Sequence, residues 1–183
     1  MTATLGTLDL HPVAERSDLL ADPVAAAVSA YPAELSGAFV AEIDPALADT
    51  AAFCERYDVG LDVSANCVVV LGRRGGEERF AACVVLATTR ADVNGVVRRR
   101  LDARRASFAP MDRAVAETGM EYGGITPVGL PAGWPVLVDA RVAATTGLVV
   151  VGSGLRRSKL VLSGAALARL PGAEVVDGLA TPA

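Results

Sequence analysis

The sequence predicts an α/β (α+β) fold in a single domain, with a mixed β-sheet flanked by helices. Its 183 residues are enough for one sizeable core, and the chain is rich in Ala, Val and Leu with few aromatic residues. Short β-branched runs alternate with segments of helical spacing, and neighbouring strands are joined by short loops. Because short connections favour antiparallel pairing, we expect a mixed sheet rather than a doubly wound parallel one.

The first 36 residues mix short apolar patches with three prolines, a pattern typical of a peripheral extension. Within it we expect one helix near residues 23–30, and we place the domain itself at residues 37–183. The next helix is predicted to begin at Asp49 or Thr50, either of which can cap its N-terminus, and to run to about Tyr57.

A hairpin is expected at the centre of the sheet. Residues 66–71 form a short β-branched run that is typical of a buried strand. The segment 72–78, rich in glycine and charge, predicts a hairpin loop, and residues 79–86 return as the partner strand.

Two helices, three strands and a closing helix are predicted after this hairpin. The first helix runs from Asp92 to about Leu101, and the second has Pro110 in its first turn and ends at Gly119. The strands lie at residues 134–139, 148–152 and 159–162, and the closing helix at residues 164–170, with Gly172 beyond it.

The net charge of −4 gives the chain no globally basic surface, so any contact with nucleic acid has to be local. Residues 98–100 and 104–105 form one arginine patch on the helix after Asp92, where they cannot all share one face, and we interpret it as a solvated surface. Arg156 and Arg157 follow an apolar strand at a turn, where guanidinium groups and backbone amides can meet a phosphate.

Several classes of site and protein are disfavoured. Cys54, Cys67 and Cys83 form no C-x-x-C pair, and His11 is the only histidine, so we expect no disulfide framework, no metal site and no Ser-His-Asp triad. No dinucleotide or P-loop fingerprint follows a strand, and we expect no cofactor. No apolar run approaches the roughly 18 to 20 residues of a membrane span, and no secretory signal is visible, so we expect a cytoplasmic protein without a membrane partner.

Lys159 is the only lysine beside sixteen arginines, which indicates a position that needs a compact ammonium group whose pKa burial can lower. On a strand, Lys159 and Val161 share one face, while Ser158, Leu160 and Leu162 share the other. The alternative is an exposed, replaceable lysine on a strand edge, where it would discourage aggregation.

The connection at residues 120–131 contains two adjacent glycines, a Thr-Pro step and a third glycine, which is more backbone freedom than a plain turn needs. Such a loop lets a ligand approach main-chain amides closely. The alternative is an ordinary long loop with tight bends.

This loop resembles the substrate loop of the YbaK/ProX family of aminoacyl-tRNA deacylases, which also occurs as an insertion domain of prolyl-tRNA synthetases. It stands between residues 106–111 and residues 135–139 and 152–157 in the family's order of motifs, and Asp92-Val-Asn is similar to the family's helix start. The resemblance covers residues 49–172 and implies a twisted, partly barrel-like mixed sheet. It also implies metal-free hydrolysis of mischarged aminoacyl-tRNA at the 3′ end, in trans or together with a synthetase.

The same resemblance supplies the candidate site. The candidate catalytic residues are Lys159 and Thr126. The candidate substrate-binding residues are Asn66, Gly123, Gly124, Pro127, Gly152, Ser153 and Gly154. Arg156 and Arg157 become candidates for contact with tRNA phosphates.

The chain departs from the family at one charged position. The family carries a lysine on the first central strand, whereas residues 66–71 include no basic residue, and Lys159 occupies a position where the family often has an acidic residue. We therefore expect Lys159 to replace the missing lysine from the opposite wall, binding phosphate or ribose or orienting the ester carbonyl. If Lys159 points outward, the site would rest on neutral groups such as Asn66, Thr126 and Ser153.

Two other functions stay open from the sequence alone. A binding protein could keep the pocket without the hydrolytic groups and recognise an aminoacyl-adenosine, an amino acid or a protein partner. A cysteine-dependent enzyme could use Cys67 beside Asn66, although no base is in evidence. The sequence does not determine the edited amino acid, the oligomeric state or a synthetase partner.

Overall fold

The computed structural model of the protein describes residues 4–183. Its helices are α1 Asp22–Ala30, α2 Pro32–Leu35, α3 Thr50–Tyr57, α4 Arg98–Arg100, α5 Met111–Thr118, α6 Ala140–Ala143 and α7 Gly164–Leu167. Its strands are β1 His11–Pro12, β2 Phe39–Glu42, β3 Ala65–Arg74, β4 Glu77–Leu86, β5 Thr89–Ala91, β6 Arg105–Phe108, β7 Val136–Asp139, β8 Leu148–Gly152, β9 Ser158–Ser163, β10 Ala173–Val176 and β11 Ala180–Pro182. Single 3-10 turns occupy Val13–Glu15, Ser17–Leu19 and Pro45–Leu47.

The strands form a five-stranded sheet of order β10-β7-β4-β3-β6, a four-stranded sheet of order β1-β2-β9-β8, and the pair β11-β5. Among the strands of residues 4–183, only the pairs β4-β7 and β7-β10 are parallel, so the expected mixed sheet in a single α/β domain is confirmed. The two larger sheets meet where the amide of Val150 donates to the carbonyl of Val63 at 2.9 Å and Ser64 bridges Val150. Across residues 4–183 the sheets stay open at this junction and do not close into a barrel.

The central hairpin is longer than expected. β3 and β4 pair over ten residues, from Ala65 opposite Leu86 to Arg74 opposite Glu77. The predicted loop at 72–78 is shorter in the structure and consists of the turn at Gly75 and Gly76, both with positive φ. Two residues are enough to connect antiparallel strands when both can adopt positive φ.

The helix expected from Asp92 to Leu101 takes a different form. The Asp92 carboxylate accepts hydrogen bonds from the amides of Gly95 and Val96, which opens a single π-helical turn at Val93–Val97 before the short α4. The chain then enters β6, an edge strand that the predicted elements did not include, because its polar residues show no apolar alternation.

The N-terminal segment is a layer of the core and not the peripheral extension that was expected. Leu19 and Val24 are fully buried in the cluster that also holds residues of β8 and β9. The Ser158 hydroxyl donates to the carbonyl of Leu19 at 2.6 Å, and the amide of Ala21 donates to the carbonyl of Ser153 at 3.2 Å. Residues 1–3 lie outside the described residues, and the domain boundary at 36/37 stays a prediction.

Two further clusters complete the core. One packs the π-helical turn and α4 against the central sheet through residues such as Val97, Val70 and Leu179. The other packs α3 against β8 and β9 through Phe53 and Val161, next to the junction of the two sheets. None of the helices within residues 4–183 has the length and apolar character needed to cross a membrane.

We expect Leu19→Ala to lower the free energy of unfolding by about 2–5 kcal/mol, because it leaves a cavity in the core. Leu61→Ala is the matched control, since Leu61 is exposed, and it should change stability by less than about 0.5 kcal/mol. Urea unfolding measures both values. Equal effects of the two substitutions would show that the N-terminal segment is dispensable.

Candidate functional site

A cleft of about 520 Å³ opens where the two larger sheets meet. Its walls come from the start of β3, the end of β8, the start of α3, the beginning of α5 and the loop that follows α5. Among the cleft-lining residues of the described chain, Lys159 and Asp49 are the two with charged side chains. The remaining lining is mostly apolar or backbone of small residues, with a few neutral polar side chains such as Thr50, Ser64 and Asn66, which is typical of a small-molecule site with few orienting groups.

Lys159 reaches this cleft from β9. It lies opposite Ala41 on one side and Gly152 on the other, so it stands on an interior strand and the edge-lysine interpretation is wrong. Lys159 and Val161 face α3, whereas Leu160 is buried in the core on the other face, which is the expected alternation.

The ammonium group of Lys159 is held in place by two contacts. Nζ donates a hydrogen bond to the carbonyl of Ala48 at 2.9 Å and lies 5.1 Å from the centroid of the Phe53 ring. Only 8% of the residue is exposed. The group therefore has little freedom and presents its remaining N–H donors in a fixed position.

Burial lowers the pKa of Lys159 to about 8, because desolvation disfavours the charged amine. Cys54 and Asp49 raise this pKa, and the neighbouring Arg156 lowers it. Lys159 is therefore mostly charged at neutral pH but loses its proton more readily than an exposed lysine.

Asn66 forms part of the opposite wall, on β3. Its Oδ1 accepts a hydrogen bond from the hydroxyl of Thr50, the first residue of α3, at 2.8 Å. Asp49 stands at the N-cap of α3 but its carboxylate makes no capping hydrogen bond; it lines the cleft and lies 3.9 Å from the guanidinium of Arg156. The cleft thus combines the amide and hydroxyl of Asn66 and Thr50 with one carboxylate and one ammonium group.

The two glycine segments pack directly against each other. A Cβ on Gly124 would lie 2.7 Å from the backbone of Leu155, and one on Gly152 would lie 2.3 Å from the carbonyl oxygen of Gly124. The amide of Gly154 donates to the carbonyl of Gly124 at 2.7 Å. The main chains of Gly123 and Gly152 line the cleft directly, and a Cβ on Gly123 would lie 2.2 Å from a guanidinium nitrogen of Arg156.

Other candidates from the same segments do not line the cleft. Thr126 is fully buried, and its hydroxyl has no hydrogen-bond partner in the part of the chain that the structure describes. Ser153 is fully buried with its hydroxyl 2.7 Å from that of Ser158, and Pro127 lines a separate groove. A Cβ on Gly154 would lie 2.4 Å from that of Ala21. The prediction that these four residues contact substrate therefore does not agree with their place in the structure. The chain turns into the core on either side of the residues that reach the cleft.

The two arginines after the second glycine turn, Arg156 and Arg157, bind different segments of the chain. The guanidinium of Arg156 donates to the carbonyls of Tyr122 and Pro45, both at 3.2 Å, and thereby links the loop after α5 to the 3-10 turn that precedes α3. Arg157 donates to the carbonyl of Asp18 at 2.5 Å, on the N-terminal segment. Neither geometry is that of the free phosphate contact that was expected.

Three exposed apolar side chains form a rim at the mouth of the cleft, which the sequence did not predict. Phe108, Met111 and Tyr122 are 61%, 53% and 55% exposed, and all three line the cleft. They are half of the large apolar residues that are exposed across residues 4–183. Their only sequence signal is that each lies in or beside a motif of the family resemblance.

Cys67 lines the cleft next to Asn66, but burial raises the pKa of its thiol well above the usual range. A thiol that resists deprotonation is a poor nucleophile. The cleft therefore gives no support to a cysteine-dependent reaction.

Comparison with known proteins finds a matching sequence family and several solved structures of similar fold. The sequence profile of the aminoacyl-tRNA editing domain matches residues 44–170. A candidate trans-editing enzyme for prolyl-tRNA synthetase superposes with a TM-score of 0.70 at 19% identity, over 86% of this chain and 97% of that chain. A hypothetical protein gives 0.72 at 20% identity, over 84% and 97%. A candidate signal transduction protein from Marinobacter aquaeolei VT8 gives 0.54 at 18% identity, over 84% and 30%.

No curated protein matches the chain. At these identities the solved structures establish a shared fold, and the profile match establishes the family.

Because Lys159 is the only lysine, selective labelling with ¹³Cε-lysine yields one NMR signal whose titration gives its pKa directly. We expect a pKa of about 8. Asp49→Asn should lower this pKa, since the carboxylate favours the charged amine, and Arg156→Gln should raise it. A midpoint near that of a free lysine would show that Nζ is solvated and not held in the cleft wall.

Proposed function

This chain belongs to the aminoacyl-tRNA editing domain family, and we propose that it hydrolyses the ester bond of mischarged aminoacyl-tRNA as a trans-editing deacylase in the cytoplasm. The observation that carries the proposal is the cleft itself. It combines a buried ammonium group, a polar wall and side-chain-free glycine backbone in a volume that suits an aminoacyl-adenosine.

An aminoacyl ester is already activated toward hydrolysis, so the protein needs to supply little further activation. Water attacks the carbonyl carbon and the ester C–O bond breaks; if the neighbouring ribose hydroxyl attacks first, the ester moves to that oxygen and water then hydrolyses it there. The products of hydrolysis are the free amino acid and tRNA with its terminal ribose hydroxyl restored. The protein then has to orient the ester and stabilise the negative charge that develops on the carbonyl oxygen.

The ammonium group of Lys159 is suited to stabilise the negative charge on the carbonyl oxygen. Its Nζ has donors beyond the hydrogen bond to Ala48, and its rigid, mostly buried position removes the need to reorganise during reaction. We assign it the role of the family's missing strand lysine, acting from β9 instead of β3. Asn66 and the main chain of Gly123 and Gly152 are the remaining candidates for substrate contact.

The exposed rim suits the terminal adenosine of tRNA. Aromatic side chains bind nucleobases by stacking, and Phe108 and Tyr122 provide two such rings at the mouth of the cleft. Their position leaves the interior to the aminoacyl group. The alternative function, a binding protein without hydrolytic activity, is motivated by the absence of a lysine on β3.

The direct test is deacylation of a panel of mischarged tRNAs, including Ala-, Cys- and Ser-tRNAPro. We expect the wild type to hydrolyse at least one ester and Lys159→Met to reduce kcat by about 10²–10³-fold, the effect typical of removing one oxyanion donor. Unchanged turnover in the variant would remove Lys159 from the mechanism. No turnover by the wild type above stoichiometric concentration would favour the binding protein.

The pH profile adds a readout that a structural role would not move. Since Lys159 acts as a cation, the enzymatic rate should fall as pH rises through about 8, after spontaneous hydrolysis is subtracted. Lys159→Arg keeps its charge across this range, so the fall should disappear from the activity that this variant retains.

Tyr122→Ala and Phe108→Ala should each raise KM for aminoacyl-tRNA by about 5- to 150-fold, corresponding to about 1–3 kcal/mol of base stacking. Val175→Ala is the control, because Val175 is similarly exposed but does not line the cleft. Steady-state kinetics measures the three variants. An equal KM for all of them would contradict adenine stacking at the rim.

A further inference from the structure

A group of arginines surrounds the tip of the central hairpin, at the end of β3 that lies away from the cleft. Two adjoining grooves of about 280 and 620 Å³ share the residues Arg74, Gly75 and Arg104. We call their arginines the hairpin arginine surface. Its members are Arg73, Arg74, Arg98, Arg99, Arg104 and Arg105.

The fold brings these residues together from two parts of the chain. A Cβ on Gly72 would lie 2.8 Å from that of Ala103, so this glycine lets the segment after α4 approach β3 closely. The amide of Arg104 donates to the carbonyl of Arg73 at 2.9 Å, and Arg73 lies directly opposite Arg105 in the β3-β6 ladder. Like charges that face each other across a ladder are destabilising, so packing does not explain this pair.

The carboxylates in these grooves are already engaged. Glu78 contacts Arg73 at 3.0 Å, Asp102 contacts Arg74, and Glu77 contacts Arg79 at 3.1 Å. Within residues 4–183, no carboxylate lies within 4.0 Å of the remaining four guanidinium groups. These belong to Arg98, Arg99, Arg104 and Arg105. A chain with a net charge of −4 therefore concentrates unneutralised positive charge at one end of its central sheet.

The surface is continuous with the mouth of the cleft. β6 is the outer strand of its sheet and runs from Arg105 in the grooves to Phe108 on the rim, a distance of about 10 Å at 3.3 Å per residue. On β3, Arg73 shares a face with Val69, which lines the cleft. About three stacked nucleotides span the same distance, because each nucleotide of one strand rises roughly 3.4 Å along the axis of a duplex.

We propose that the hairpin arginine surface binds the phosphodiester backbone of the acceptor end of tRNA while the terminal aminoacyl-adenosine occupies the cleft. The inference rests on the proposed function for the identity of the RNA. Arginine forks match phosphate oxygens bidentately, and the grooves expose no large apolar side chain of the kind that anchors a membrane or a protein partner. RNA is therefore the polyanion that this surface fits.

The test uses the full chain and uncharged tRNA, with binding followed by fluorescence anisotropy over a series of salt concentrations. The variant is Arg104→Glu with Arg105→Glu. The control is Arg90→Glu with Arg169→Glu, which changes the net charge equally at two exposed arginines that line neither groove nor cleft. We expect the variant to bind at least tenfold more weakly and to reduce the slope of log K against log salt by about 1.5 to 2, while the control resembles the wild type.

A second readout separates this inference from the proposed function. If both hold, the variant loses deacylation of aminoacyl-tRNA but retains hydrolysis of a short aminoacyl-adenosine ester. If the wild type hydrolyses nothing but the variant still loses tRNA binding, the RNA surface stands and the deacylase proposal fails. Wild-type affinity and salt slope in the variant, or binding of the wild type to phosphatidylserine vesicles in preference to tRNA, would overturn the inference.

Discussion

The close backbone packing of Gly124 against the turn from Gly152 to Leu155 is the constraint on which the site depends. It leaves no space for a side chain on either glycine, so the loop after α5 and the end of β8 behave as one unit. Gly152 pairs in turn with Lys159, which sets the height of the ammonium group relative to that loop. The side chain of Arg156 then links the loop to the 3-10 turn that precedes α3, through the carbonyls of Tyr122 and Pro45. Backbone packing together with this one side chain thus places the elements around the cleft.

The buried ammonium group of Lys159 carries a desolvation cost in the folded protein. Burial lowers the pKa of Lys159 to about 8 in the folded chain, against 10.5 for an unperturbed lysine. Between these two values the unfolded chain binds more protons at this residue, so stability rises with pH across that window. Below pH 8 the fold keeps a desolvated charge, and the hydrogen bond to Ala48 with the face of Phe53 offsets part of that cost. A replaceable surface lysine would carry no such penalty.

The parts of this architecture that are visible in the sequence are those that local physics determines. The bounds of α3 and α5 follow from apolar spacing, Pro110 and Gly119, and those of β8 from its unbroken apolar run. Edge strands such as β6 arise only through pairing, and the π-helical turn depends on the Asp92 carboxylate, so neither leaves a periodic signal. The family resemblance located the two glycine segments but not which of their residues turn inward, as Thr126 and Ser153 do.

In the proposed reaction an activated ester would lie next to the amine of Lys159, and this arrangement carries a chemical hazard. With a pKa of about 8, roughly a tenth of the Lys159 side chains are unprotonated at pH 7, and an aminoacyl ester can acylate a neutral amine to give a stable amide. That product would block the cleft permanently, because the amide resists the hydrolysis that clears the ester. The Nζ donor bond to Ala48 and the nearby carboxylate of Asp49 both favour the protonated amine, which has no lone pair to attack. The same contacts that orient Lys159 would therefore also protect the protein from acylation by the proposed substrate.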